Sequence, residues 1–190
     1  YTGVPVLGWQ QGGPHNHRGL IQGDWFYTDT LASYNVMNPV SWNSASSDVT
    51  LDGNASSSSI SIANTVTRSC TIRGSLYVPD SQVGILDTVS LTLSNGTDDW
   101  WGTIEYGSGL TPQFSLMLNG SSQDTFVTTI DSGWYSVVLD VDYENDTLRM
   151  KAWHRTENEP DGWQLSASPG SSWTADEIGF RQFGNGTQVD

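Results

Sequence analysis

From Asp24 onward, apolar and polar residues alternate with period two in short runs. Clusters of Gly, Asn, Asp, Ser or Pro bound each run, the pattern of half-buried strands joined by turns. The clearest runs are "SISIA" with Ile60 and Ile62, "VGILDTVSLTL" with Val83, Ile85, Val89, Leu91 and Leu93, and "FSLML" with Phe114, Leu116 and Leu118. In "WYSVVLDVD" Tyr135, Val137, Leu139 and Val141 share a face. Beyond the "YEND" turn, "TLRMKAW" places Leu148, Met150 and Ala152 on one face, which predicts a hairpin. No stretch keeps helical apolar spacing for more than about two turns. About a dozen strands without helical crossovers call for two antiparallel sheets packed face to face or a closed barrel, and the sandwich is favoured.

Residues 1–23 break this pattern. "GVPVLGWQQGGPHNHRGLIQG" mixes one short apolar run with glycine, proline and amides and reads as an extended N-terminal arm or linker before a single domain over residues 24–190. The chain opens at Tyr1 rather than at a methionine, as expected of a processed product or a piece of a longer polypeptide.

The chain carries a formal net charge of −14 over 190 residues, and Lys151 is its only lysine. Clustered cations for phosphate neutralisation are missing, so nucleic acid is excluded as a partner. No apolar run reaches the roughly 18 residues of a membrane span, so membrane insertion is not expected. Self-repulsion of such a surface is relieved by molar salt, which predicts a halophilic protein; an ordinary acidic secreted protein is the alternative. Cys70 is the single cysteine and excludes an intrachain disulfide; with Ile72, Leu76 and Val78 it falls on one strand face, as an inert buried thiol would. Asn-x-Ser/Thr sequons stand at Asn54, Asn95, Asn119, Asn145 and Asn185, several of them in Asn-Gly turns, and predict a glycosylated, extracellular protein.

The stretch "DSGWYSVVLDVDYENDTLRMKAWHRTENEPDGWQLS", followed by "DEIGFRQFGNGTQVD", resembles the C-terminal half of laminin-G-like, concanavalin A-type jelly-roll domains. The resemblance rests on Gly133, Trp134 and Tyr135, on Trp153, on Glu159, Pro160 and Trp163, and on Gly179, Phe180 and Arg181. It extends more weakly to "GDWFYTDTLASYNV" and "SDVTLDGNASSSSISI" and covers residues 24–190. It implies a concanavalin A-like two-sheet sandwich and leaves function open among lectins, accessory modules, virion fibre tips and adhesins. Within "AWHRTENEPDGWQL" the Pro-Asp-Gly turn lets Trp153 pack on Pro160 and Trp163 as scaffold, with the acids and His154 on a solvated loop.

The same fold hosts retaining glucanases, which need two glutamates with carboxyls about 5 to 5.5 Å apart. Their Glu-x-Asp-x-x-Glu strand is missing. Asp140, Asp142 and Glu144 in "LDVDYEN" come nearest and read as an acidic solvent face, so a non-catalytic protein is expected. Binding is better supported. In "DDWWGTIEYG" one of the consecutive Trp100 and Trp101 must leave the core, with Tyr106 nearby, and exposed aromatics beside Asp98, Asp99 and Glu105 suit the apolar faces and hydroxyls of sugars. The alternative keeps Trp101 in the core and Trp100 over a loop.

"PHNHRG" sets His15 and His17 two residues apart, a spacing that lets both ligate one metal on an extended chain. It resembles His-x-His segments before domains of tailed-virus fibre proteins, although Arg18 departs from that pattern, and a polar linker is the plainer reading. The laminin-G resemblance implies calcium, with Asp24, Asp29 and Asp190 as compatible ligands. The resulting expectation is a homo-oligomeric, extracellular or virion-surface module that binds a glycan or a glycosylated cell-surface receptor, from a haloarchaeal host or its virus. A structural subunit assembled through its N-terminal arm is the alternative, and a glycoside hydrolase the third reading.

Overall fold

The computed structural model describes residues 8–10, 19–22, 35–37, 40–43, 48–51, 57–66, 69–79, 87–183 and 187–189. The first strands are β1 (Gly8–Gln10), β2 (Gly19–Gln22), β3 (Asn35–Met37), β4 (Val40–Asn43), β5 (Asp48–Leu51) and β6 (Ser57–Val66). Then come β7 (Cys70–Val78), β8 (Thr88–Ser94), β9 (Asp99–Glu105), β10 (Gln113–Leu118) and β11 (Ser121–Val127). The last are β12 (Gly133–Asp142), β13 (Thr147–His154), β14 (Leu165–Ala167), β15 (Ala175–Phe183) and β16 (Thr187–Val189).

They form two sheets, as the sandwich reading requires. The first, of nine strands, runs β14-β13-β12-β7-β16-β5-β4, with β2 also on β7 and β1 on β2. The second, of seven strands, runs β11-β10-β9-β8-β15-β6-β3. Every pairing is antiparallel except β2 with β7, which runs parallel from Gly19 opposite Cys70 to Ile21 opposite Ile72. Of the residues read as an arm, those described therefore pair within their own chain.

The expected hairpin is β12–β13, with Asp142 opposite Thr147 across the turn. Its inward residues Val137, Leu139, Leu148, Met150 and Ala152 are fully buried, as are Cys70, Ile72, Leu76 and Val78 of β7. Val89, Leu91, Leu93, Ile104, Leu116 and Ile178 face them from the second sheet. Two inward glycines set the spacing of the sheets. A Cβ on Gly102 of β9 would stand 2.6 Å from Leu139 Cδ2, and one on Gly74 of β7 would stand 2.8 Å from Phe180 Cε1. Both are closer than real Cβ contacts come, so the opposing side chains occupy the room a side chain would take.

The stretch "AWHRTENEPDGWQL" packs on the strands by contacts other than those expected. The loop after β13 folds back over the outer face of the first sheet, where Glu159 bonds Arg73 at 3.1 Å and Lys151 at 2.7 Å. Lys151 Nζ also donates to the Pro160 carbonyl, 3.1 Å away. Trp153 stacks with Arg73 (5.4 Å), whereas Trp163 rests on Arg149 and Lys151 (both 5.1 Å) and stays 37 % exposed. Cations from the strands thus take the place given to Trp163 beside Trp153.

The acids of "LDVDYEN" are not a solvent face. Asp140, 1 % exposed, accepts from Arg149 Nη2 at 2.7 Å and from Thr71 Oγ1 at 2.9 Å. Asp142 is also buried and accepts from Asn145 Nδ2 at 2.9 Å, while Glu144 is exposed in the turn. These carboxylates tie strands and turn together rather than pairing across a cleft.

Candidate functional site

The outer face of the second sheet is polar for a reason of parity. On β9 the even positions Trp100, Gly102 and Ile104, continued by Tyr106, point inward, and the odd positions Asp99, Trp101, Thr103 and Glu105 point outward. Trp100 is 1 % exposed and Tyr106 fully buried, so neither offers a ring face to a ligand. Of the three aromatic candidates, Trp101 is the one at the surface, half-buried.

Strand register carries polar residues to Trp101 from distant parts of the chain. Trp101 lies opposite Thr92 of β8, Thr92 opposite Gly179 of β15, and Gly179 opposite Ser61 of β6. The next row joins Thr103, Ser90, Arg181 and Ser59 in the same way. Above them, Asp99 is opposite Ser94 and Ser94 opposite Glu177. The result is a groove of about 410 Å³ whose walls include Ser61, Thr92, Asp99, Trp101, Glu177 and Arg181.

Its charged groups are held in place. The Arg181 guanidinium lies 4.2 Å from the centre of the Trp101 ring, a stacked cation–π contact. Burial pushes the Arg181 pKa below the usual arginine value, and the nearby Asp99 carboxylate partly opposes that shift. Ser61 Oγ donates to Glu177 Oε1. Farther along the sheet, Glu105, 6 % exposed, accepts from Ser115 Oγ and from Gln113 Nε2 at 3.1 Å, and Ser90 and Thr103 bond each other at 2.9 Å.

Two interlocked turns close one end of the groove. Asn95 Oδ1 accepts from the amides of Thr97 (3.0 Å) and Asp98 (2.8 Å). Asn119 Oδ1 accepts from Asp99 N at 2.8 Å, and its Nδ2 donates to Asp98 Oδ1 at 3.1 Å. Asn119 has φ of 50°, a conformation in which Asn is favoured among residues bearing side chains. A Cβ on Gly120 would sit 3.6 Å from Trp101 Cη2, in ordinary contact, so this turn packs beside the ring. The sequons at Asn95, Asn119 and Asn145 are thus also turns built with asparagine side chains.

His15, His17, Asp24, Asp29 and Asp190, the candidate metal ligands, and the sequons at Asn54 and Asn185 lie outside the described residues. Among the described residues no group of three or more His, Cys, Asp or Glu is placed to hold a metal ion, and no helix is long and apolar enough to cross a membrane.

Local sequence does not group Arg181, Glu177, Ser59 and Ser61 with Trp101. The alternation in "SSSSISIA" and "DEIGFRQF" marks them as outward-facing, but only the strand order shows that β6 and β15 lie beside β8 and β9.

Neither a family model nor a characterised protein matches the sequence. Solved structures do match the fold. The chain is similar to winged bean acidic lectin complexed with methyl-α-D-galactose, with a TM-score of 0.63 at 13 % identity over 87 % of this chain and 92 % of that one. It is similar to the potassium-bound carbohydrate recognition domain of Emp46p, with a TM-score of 0.60 at 8 % identity over 84 % and 86 % of the two chains. A third likeness is to the CBM2 module of the evolved Dit of Lactobacillus casei BL23 phage J-1, with a TM-score of 0.57 at 12 % identity over 80 % and 79 %. The protein has the concanavalin A-like jelly-roll sandwich fold.

Proposed function

We propose that this protein is a non-catalytic carbohydrate-binding module whose ligand lies in the groove of the second sheet, on Trp101. The observation that carries the reading is a tryptophan at the groove surface, backed by a stacked arginine and flanked by outward hydroxyls and two carboxylates. A half-exposed aromatic offers a surface for the C–H face of a sugar, and convergent polar groups bond its hydroxyls. The fold agrees, because structures similar to it include a lectin complexed with methyl-α-D-galactose and a carbohydrate recognition domain. The acidic surface and the sequons favour an extracellular or virion-surface setting in a halophilic system, with a glycosylated receptor as partner. Assembly through the N-terminal arm is the alternative reading, which sizing by light scattering tests.

A glycan array probed with the wild type, Trp101→Ala and Trp163→Ala tests the site. Trp101→Ala is expected to weaken binding by about tenfold or more, equivalent to about 1.4 kcal/mol, in a protein that still unfolds cooperatively. Trp163→Ala, on the outer face of the other sheet, should leave affinity unchanged. Binding that survives Trp101→Ala places the ligand elsewhere.

A further inference from the structure

We propose that the groove selects neutral saccharides and rejects anionic ones, with Asp99 and Glu177 as the specificity-determining charges; this rests on the groove being the saccharide site. An arginine in a polar groove ordinarily suggests an anion receptor, because its fork of donors suits carboxylate, sulfate and phosphate. Arg181 is differently employed. Its guanidinium is stacked on Trp101 at 4.2 Å, is partly desolvated, and feels the Asp99 carboxylate. It is a positioning residue that backs the aromatic surface.

Among the described residues the charge balance agrees: Asp99, Glu177 and Arg181 line the groove and sum to −1, on a chain of net charge −14. The two carboxylates come from different strands, and the Asp99 backbone and the Glu177 side chain are each tied. Asp99 sits in the interlocked turns, its amide donating to Asn119 Oδ1 at 2.8 Å, and Glu177 is tied to Ser61. Carboxylates accept strong hydrogen bonds from ligand hydroxyls, and Ser59, Thr92 and Ser94 add neutral donors and acceptors. A ligand carboxylate or sulfate in the same groove meets like charge in partly desolvated surroundings, which penalises it by about tenfold or more.

An array of matched pairs tests this: galactose with galacturonate, glucose with glucuronate, and N-acetyllactosamine with and without terminal sialic acid. The expected result is binding to neutral members, with anionic partners at least about tenfold weaker. The near-isosteric double variant Asp99→Asn with Glu177→Gln should narrow that gap to about twofold or reverse it, the melting temperature confirming that it folds. Equal or preferred binding of the anionic members by the wild type, lost in Trp101→Ala, overturns the selectivity and leaves the groove as the site. A gap unchanged in the double variant also overturns it. Binding indifferent to Trp101→Ala removes the groove itself and the selectivity with it.

Discussion

Replacing Gly102 by alanine tests the packing of the two sheets with an outcome whose sign is diagnostic. Gly102 lies on β9 between the inward Trp100 and Ile104, where Leu139 and Met150 of the opposite sheet fill the space. An added Cβ stands 2.6 Å from Leu139 Cδ2, 3.2 Å from Leu139 Cγ and 3.1 Å from Met150 Sδ. At a strand position with free space, Gly→Ala stabilises by about 0.5–1 kcal/mol through lost backbone entropy in the unfolded chain. Overpacking a core costs about 1–3 kcal/mol. The second effect is larger, so Gly102→Ala is expected to destabilise by about 0.5–2 kcal/mol, read as a lower urea midpoint at unchanged slope. Leu139→Ala alone should cost about 2–5 kcal/mol, and the double variant less than the sum, since the shortened side chain makes room for the new methyl. A Gly102→Ala protein more stable than wild type, or costs that simply add, would show that the sheets do not meet at this point.

Trp153→Ala and Trp163→Ala should part company. The buried Trp153 is expected to cost about 3–5 kcal/mol and the exposed Trp163 about 1 kcal/mol, measured by urea denaturation; equal costs would contradict their different burial. Arg73 and Lys151 hold the Glu159 carboxyl below the usual carboxylate range. Its contribution is therefore complete above the unfolded pKa of 4.5 and is lost as pH falls through the lower folded value. Glu159→Gln should cost no more than about 1 kcal/mol at pH near 7, because the pair is exposed, and should flatten the acid limb of stability against pH. The melting temperature is expected to rise between about 0.1 M and about 2 M NaCl as screening relieves repulsion among the acids, and a flat or falling profile would remove the halophilic reading.

Much of the fold was legible because each long strand alternates cleanly: the β12–β13 hairpin, the inward row of β7 and the apolar face of β10 all follow from period two. The same parity, carried from Ile104 to Trp100 and Tyr106, assigns both rings to the core. Sugar chemistry drew attention to all three aromatics together, and the parity that separates them is decisive. The groove was less legible for a topological reason. Its walls come from β6, β8, β9 and β15, and local pattern does not reveal that strands so far apart in sequence are neighbours. Nor does local pattern say what satisfies a buried carboxylate: Asp140 and Asp142 look like a solvent face until Arg149, from the returning strand, is set beside them.

The Asn119–Gly120 turn that abuts Trp101 belongs to the β10–β11 hairpin, and β11 is the sheet's outermost strand, with Phe126 40 % and Val127 66 % exposed. A clasp from Asp124 Oδ2, which accepts from Ser166 N of β14 at 2.9 Å, fastens this edge to the first sheet. Edge strands with few buried side chains open locally far more often than the molecule unfolds, so amide exchange should be fastest along β11. Each such opening loosens the turn beside the tryptophan. If the groove holds the proposed saccharide, its residence time is expected to follow how often the margin of the sheet breathes, and Asp124→Ala, on the far side of that hairpin, is expected to shorten it without removing a contact to the ligand.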